Sequence, residues 1–169
     1  MTKNFSLITE DVITKISNQN PQKIYQAVEQ AYVQHFHKKA INPPSHFLTF
    51  PDKPASRIIA LPAAIMEEPR RSGIKWISSN PENIKHDLKR ASALIILNDY
   101  ETGFPVACME GAVISALRTV NSAILSAYLV LKNKHVKRLG IVGCGNISKV
   151  FLECLNLQKW QIDEIAIFD

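Results

Sequence analysis

The residues whose types and spacing best fit a chemical role lie in the last 31 positions of the sequence, 139–169. An apolar run, Leu139–Val142, leads into two glycines, and a helical pattern begins just after them. Glycine permits a tight turn out of a strand and lets a phosphate approach the backbone. A helix N-terminus adds free N–H groups and a positive dipole end. We therefore predict pyrophosphate contacts at four residues of a dinucleotide-binding turn: Gly143, Gly145, Asn146 and Ile147.

A carboxylate lies at the sequence spacing from the glycines that is typical of a dinucleotide-binding turn. Asp169 ends a second apolar run, Ile165–Phe168, and lies 24 residues after Gly145 (169 − 145). A carboxylate at about this spacing accepts hydrogen bonds from the ribose hydroxyls and repels a 2′-phosphate. The pattern thus predicts NAD rather than NADP. Ser148 replaces the third Gly or Ala of the usual motif, and the alternative interpretation is a glycine turn without a ligand.

Three cations lie in or beside apolar segments instead of on charged ones. Arg57 begins RIIAL, Lys75 lies within GIKWIS, and Arg118 is near the start of a long helical pattern, one place from its apolar stripe. Arginine binds a carboxylate through two parallel hydrogen bonds, and lysine acts as a point charge. A pocket built from all three would suit a small amino acid with one or more carboxylates. The alternative for each is a surface cation with a buried stem.

The elements that must position these residues form two groups. Helices are predicted to start at Thr9 and at Asn20-Pro21, followed by short apolar strands with tight turns, which indicate an antiparallel or mixed sheet. The longest helix is predicted over Ser115–Leu131, with a stripe of apolar residues, listed here: Leu117, Val120, Ile124, Ala127 and Leu131. The fold class is α/β: an N-terminal α+β domain, then the first β-α-β unit of a Rossmann NAD-binding domain.

The predicted division is residues 1–131 for the first domain, 132–138 for a basic linker and 139–169 for the start of the nucleotide domain. A doubly wound domain needs further strands, so these residues supply half of a nucleotide site. We expect residues 1–131 to bury their own core and 139–169 not to. We also expect no turnover from this chain alone.

Composition narrows the class of protein. The net charge of +5 is spread along the chain, which favours a solvated surface over nucleic-acid binding. The three cysteines form no CxxC pair, and His35 and His37 point in different directions on a helix, so neither a disulfide framework nor a metal site is expected. With no signal segment and no run of about 18 apolar residues, we expect a cytoplasmic protein without a membrane span.

Five motifs in fixed order carry a resemblance. They are RIIALPA, GIKWISSNPEN, ILNDYETGFPVACMEG, ISALRTVNSA and LGIVGCGNIS. Together they resemble the ornithine cyclodeaminase and mu-crystallin family over nearly the whole chain, from ITEDV onward. GIKWISSNPEN and NDYETGFP are most similar to the branch of N-(2-amino-2-carboxyethyl)-L-glutamate dehydrogenases, which make diaminopropionate for siderophores and related products. Cyclodeaminases proper read closer to FKYVNGHPKN at the lysine segment, which this chain lacks.

The resemblance implies a homodimeric NAD enzyme of roughly twice this length. Residues 1–131 would form its substrate-binding and dimerisation domain, and residues 139–169 the incomplete start of its Rossmann domain. The resemblance places Arg57, Lys75 and Arg118 in the substrate-carboxylate pocket, with Lys75 also catalytic, and Gly143, Gly145 and Asp169 in the NAD site. The implied reaction is NAD-dependent oxidative hydrolysis of N-(2-amino-2-carboxyethyl)-L-glutamate to L-2,3-diaminopropionate and 2-oxoglutarate. Alternatives are ornithine cyclisation to proline, a non-catalytic ligand-binding protein like mu-crystallin, and an inactive remnant. The aspartate that cyclodeaminases use near the substrate amine has no counterpart in these residues.

Overall fold

A computed structural model describes residues 5–169 as a mixed α/β protein. Its elements, in chain order, are β1 (Ser6–Ile8), α1 (Glu10–Gln19), α2 (Pro21–Phe36), β2 (Ala40–Ile41), β3 (His46–Phe50), β4 (Lys53–Ile65), β5 (Arg71–Ser79), a 3₁₀ segment (Pro81–His86), β6 (Ala91–Asn98), β7 (Pro105–Glu110), α3 (Ala112–Leu131), β8 (His135–Val142), α4 (Asn146–Leu157) and β9 (Gln161–Phe168). This architecture confirms the predicted fold class.

The residues group into two compact units. Unit 1 holds the described residues up to Ile13 together with Val33–Val113, and unit 2 holds Thr14–Tyr32 and Ile114–Asp169. The long helix α3 therefore groups mainly with residues 139–169, the segment predicted to bind a nucleotide. The division of the chain into domains at 131 and 139 stays a prediction.

Unit 1 is built on a seven-stranded sheet in the order β1-β7-β6-β5-β4-β2, with β3 also paired to β4. All of its pairings are antiparallel except that of β1 with β7. This confirms the predicted mixed sheet. The sequence pattern did not predict β1, because a three-residue strand is too short to show alternation.

The first two helices begin where the sequence indicates. The N–H groups of Lys23 and Ile24 donate to the carbonyl of Asn20, directly before Pro21 at the first helical position. The predicted end of α2 near Lys39 is wrong by three residues. Lys38 has a φ of 59°, and this left-handed residue closes the helix while Lys39 N–H donates back to the Gln34 carbonyl.

The core of unit 2 is formed by helices α3 and α4 against the strands β8 and β9. Its buried members are Val120, Ile124, Cys154, Leu155 and Trp160. Residues 139–169 therefore contribute to a core that they share with α3, which supplies the other half, and this shared core is not one of their own. The predicted stripe on α3 is confirmed except at Leu131, which is 43% exposed because it is the last residue of the helix.

The start of the strand that follows α3 also differs from its predicted position. The strand β8 begins at His135, so the second half of the predicted linker 132–138 is strand, held by parallel pairing of His135 with Gln161. Lys132, at a φ of 58°, ends α3. By length and composition, α3 is long and apolar enough to cross a membrane, a test that the core helix of a folded protein also passes.

Candidate functional site

The glycine turn joins two parallel strands through a helix. Strand β8 pairs with β9 from His135–Gln161 to Val142–Phe168, and α4 makes the crossover. Gly143 has a φ of +91°, a region that favours glycine, and its N–H donates to the Phe168 carbonyl at 2.7 Å. The predicted β-α-β unit is therefore present.

The N-terminus of α4 is open toward a ligand. Gly145 is the N-cap, and no side chain accepts a hydrogen bond from the first turn at this cap. Apart from Gly145 itself and its two chain neighbours, no heavy atom lies within 4 Å of the position that a Cβ would take at Gly145, so packing within the chain does not require glycine there. Asn146 and Ile147 follow as exposed residues of the first turn, whose N–H groups have no partner within the helix. This arrangement fits a pyrophosphate.

Ser148 and Asp169 both bond to the turn. The Ser148 hydroxyl donates to the Gly143 carbonyl at 2.6 Å, which gives this departure from the usual motif a structural role. One carboxylate oxygen of Asp169, Oδ1, accepts the Cys144 N–H at 2.8 Å. Because a carboxylate has about four acceptor positions, Asp169 keeps capacity for ribose hydroxyls while it is fixed against the turn. The helix N–H donors and the Asp169 carboxylate, which accepts hydrogen bonds, therefore fit a dinucleotide with a free 2′-hydroxyl.

In unit 1, Arg57 and Lys75 share one face of the sheet. Arg57 pairs with Ser79 of β5, and Lys75 pairs with Leu61 of β4, so both side chains point to the same side. Their Cα atoms are about 14 Å apart by strand rise and strand spacing. Lys75 is also opposite Ile95 of β6, so its stem lies between two aliphatic residues.

In unit 2, Arg118 lies on α3 with its guanidinium carbon 6.0 Å from the centre of the Tyr32 ring. The Tyr32 hydroxyl is 3.1 Å from Ser122 Oγ. Arg118 is exposed, as its position one place from the apolar stripe predicts. That Arg118 shares a pocket with Arg57 and Lys75 stays a prediction.

Arg57 and Arg118 differ in their partners from Arg70 and Arg138, while Arg71 and Arg90 also form no ion pair within residues 5–169. Arg70 pairs with Glu68 and Glu101, and Arg138 pairs with Glu164 at 2.6 Å. Within residues 5–169, neither Arg57 nor Arg118 has a carboxylate within ion-pair distance. An arginine without an acidic partner can bind a substrate carboxylate without first breaking an ion pair.

A carboxylate that sequence reasoning missed starts the helix of Arg118. The two oxygens of Glu110 accept the N–H groups of Ala112 at 2.6 Å and Val113 at 3.0 Å. This cap starts α3 at Ala112, three residues before the predicted Ser115, because an acidic side chain satisfies the free donors of the first turn. A glutamate directly before Gly111 and an apolar helical run was the available signal.

A cleft in the described part of the chain lies apart from these residues. A cleft of about 320 Å³ in unit 1 is lined mainly from the sheet face opposite Lys75, and none of the predicted site residues lines it. Across residues 5–169, no group of three or more His, Cys, Asp or Glu side chains could hold a metal ion.

Comparison with known proteins identifies the family. The family model described as ornithine cyclodeaminase/mu-crystallin matches residues 5–169. An N-((2S)-2-amino-2-carboxyethyl)-L-glutamate dehydrogenase of Staphylococcus aureus is 34% identical over 100% of this chain and 51% of its own length. An archaeal alanine dehydrogenase dimer with bound NAD is 30% identical, with a TM-score of 0.79 over 96% of this chain and 48% of that one.

A Thermococcus litoralis Δ1-pyrroline-2-carboxylate reductase, solved with NADH and L-proline, superposes with a TM-score of 0.83 at 26% identity, over 96% of this chain and 48% of that one. The chain thus spans about half the length of the relatives that it matches. It belongs to the ornithine cyclodeaminase/mu-crystallin family.

Proposed function

We propose that this chain supplies the substrate-binding residues and the first nucleotide-binding unit of an NAD-dependent dehydrogenase. The observation that carries the proposal is the glycine turn, where Asp169 is fixed against Cys144 N–H beside the open N-terminus of α4. Gly143 and Gly145 shape the turn, and Asn146 and Ile147 offer N–H groups to a pyrophosphate. Asp169 accepts the ribose hydroxyls, which selects NAD.

The proposed substrate is N-(2-amino-2-carboxyethyl)-L-glutamate, which is oxidised and hydrolysed to L-2,3-diaminopropionate and 2-oxoglutarate. The name of the Staphylococcus aureus relative, similar over the whole chain, supports this choice. The motifs GIKWISSNPEN and NDYETGFP point to the same branch. The substrate carries three carboxylates, which suits arginines without acidic partners.

The chemistry requires one hydride transfer and one hydrolysis. NAD, when bound, accepts the hydride. The C–H bond at the glutamate α-carbon breaks, the lone pair of the secondary amine closes a C=N bond, and water then splits that bond into the amine and the oxo acid. Arg57 and Arg118 bind substrate carboxylates in this scheme. Lys75 acts in catalysis, since a nearby positive charge favours the neutral amine whose lone pair is needed.

The direct test assays a purified polypeptide that contains this chain and extends to the length of its relatives, called the full-length protein below. NADH formation is followed with N-(2-amino-2-carboxyethyl)-L-glutamate, L-ornithine and L-alanine in parallel, and products are identified by mass spectrometry. The highest kcat/KM is expected for the first substrate, with diaminopropionate and 2-oxoglutarate formed in equal amounts. A clear preference for L-ornithine with proline as product would replace this proposal with the cyclodeaminase reaction.

The proposed assembly is a cytoplasmic homodimer, in which residues 1–131 form the substrate and dimerisation domain. The sheet face opposite Lys75 exposes four large apolar side chains of unit 1: Leu48, Trp76, Leu94 and Ile96. Trp76 pairs with Leu94, which is 51% exposed, so these two form a continuous apolar surface. A second copy would bury it, as the dimeric state of the archaeal relative supports.

Light scattering after size exclusion tests this interface. Leu94→Asp should give a monomer, because a buried, unpaired carboxylate opposes association. Phe47→Asp is the matched control, since Phe47 is 60% exposed on the other face of the same sheet, and it should leave the dimer intact. A dimer that persists in Leu94→Asp would exclude this face as the interface.

A further inference from the structure

Tyr32 touches the predicted substrate arginine from a different helix. Its ring centre is 6.0 Å from the guanidinium carbon of Arg118, within the range of a cation–π contact. Its hydroxyl is 3.1 Å from Ser122 Oγ. Arg118 and Ser122 are four residues apart on α3 and so lie on one face of the helix. Tyr32 therefore contacts that face at two points.

The hydrogen bond between the Tyr32 hydroxyl and Ser122 anchors the tyrosine, and a second bond shows which of the two hydroxyls donates. Ser122 Oγ donates its hydrogen to the Arg118 carbonyl at 2.9 Å. A serine hydroxyl has a single hydrogen, so its oxygen must accept from the Tyr32 hydroxyl. The phenol is thus held by a bond in which it is the donor, and its ring is kept beside the guanidinium.

The contact orients Arg118 without occupying its hydrogen-bonding groups. Within the described residues, Arg118 has no carboxylate partner, so an ion pair does not restrict its long side chain. An aromatic face attracts the cation while the N–H groups at the guanidinium edge stay available for a carboxylate. Ordering the side chain before the substrate arrives lowers the entropic cost of binding.

We propose that Tyr32 is a positioning residue for Arg118, a role that rests on the proposed function of Arg118 in binding a substrate carboxylate. Its hydroxyl, anchored on Ser122, holds the ring, and the ring holds the guanidinium in place. The effect falls on substrate binding and leaves the chemical step unchanged.

The test uses the full-length protein and the proposed substrate. Tyr32→Leu should raise KM about two- to five-fold with kcat nearly unchanged, the range expected for an exposed cation–π contact. Tyr32→Phe keeps the ring but loses the anchoring hydroxyl, and Ser122→Ala removes the same hydrogen bond from its other side. Both variants should therefore give a KM between those of the wild type and Tyr32→Leu. Tyr128→Leu, a change of another exposed tyrosine in unit 2, is the matched control and should leave KM unchanged.

The outcomes separate this role from the proposed function. A wild-type protein without turnover would overturn both. An active wild type whose Tyr32→Leu variant keeps its KM, or in which Tyr128→Leu raises KM equally, would overturn only the role of Tyr32. Circular dichroism checks that each variant is folded. If Tyr32→Leu does not fold, Ser122→Ala still tests the proposed role of Tyr32.

Discussion

The two compact units of the chain bury their apolar residues in different ways. In unit 2, Ile124 is fully buried and Val120 and Trp160 are nearly so, because two helices pack against the β8–β9 strands. In the sheet of unit 1, the buried hydrophobic residues are the small Ala93 and Ala107. Its large apolar residues, listed above for the face opposite Lys75, are partly exposed.

The difference follows from the number of layers of secondary structure that cover each sheet. A helix-covered sheet closes a core within one unit, whereas a sheet with an uncovered apolar face needs a second layer from another element or another copy. Unit 2 therefore has the interior that fixes α3 and its Arg118. Unit 1 fixes Arg57 and Lys75 through strand register, and its stability should depend more on association.

The largest expected effect is on the free energy of unfolding, which a mutation in the core of unit 2 should lower more than one on the sheet face of unit 1. Ile124→Ala should lower the free energy of unfolding by about 2–5 kcal/mol, because it leaves a cavity in the closed core of unit 2. Trp76→Ala in unit 1, where the side chain is 43% exposed, should cost clearly less in a dissociated sample. Urea denaturation followed by circular dichroism measures both. Equal losses would show that the exposed sheet face contributes as much as the core.

A smaller effect is expected from the arginines of the two units. Arg118→Ala in the full-length enzyme should lower kcat/KM ten-fold or more, since a lost charged hydrogen bond is worth about 1.5–3 kcal/mol. Arg57→Ala should do the same from unit 1. Arg138→Ala, which removes a surface pair with Glu164, is the control and should have little effect. Unchanged kinetics for a folded Arg118→Ala variant would make Arg118 a surface cation.

The proposed role of the carboxylate at the glycine turn is to control cofactor choice. Asp169→Ala should narrow the difference between NADH and NADPH binding by about 1.5–3 kcal/mol, the value of a lost hydrogen bond to a charged group. Binding of each cofactor to the full-length protein by calorimetry gives the comparison. Equal dissociation constants for the two cofactors in the wild type would contradict the role of Asp169.

The smallest effect compares two thiols within unit 2. Burial, and then the nearby Glu153, raise the pKa of the Cys154 thiol, whereas Cys144 is exposed in the glycine turn. A thiol reagent should therefore modify Cys144 first and Cys154 only on unfolding. Since the pKa of Cys154 is higher in the folded state, its contribution to stability is complete below the unfolded pKa and is lost as pH rises through the folded pKa. Mass spectrometry of partly labelled protein checks the order of labelling.

Short-range patterns in the sequence determined much of the fold and one of the two candidate sites. The turn at Gly143, the helix after Gly145 and the start of α2 at Asn20-Pro21 all follow from residues within a few positions of one another. A positive φ and free N–H groups at a helix N-terminus are local properties of the backbone. For this reason the β-α-β unit could be predicted from contiguous residues.

Tertiary structure decided the features that join distant segments. Strand register placed Arg57 and Lys75 on one face, and the packing of α3 into unit 2 placed Arg118 beside Tyr32. The bond from Cys144 N–H to Asp169 likewise crosses 25 positions of the chain. Alternation within a strand shows that two faces exist, but only pairing with a neighbour determines which residues share one. Contacts between segments far apart in sequence depend on the whole packed chain, and no short stretch of sequence contains them.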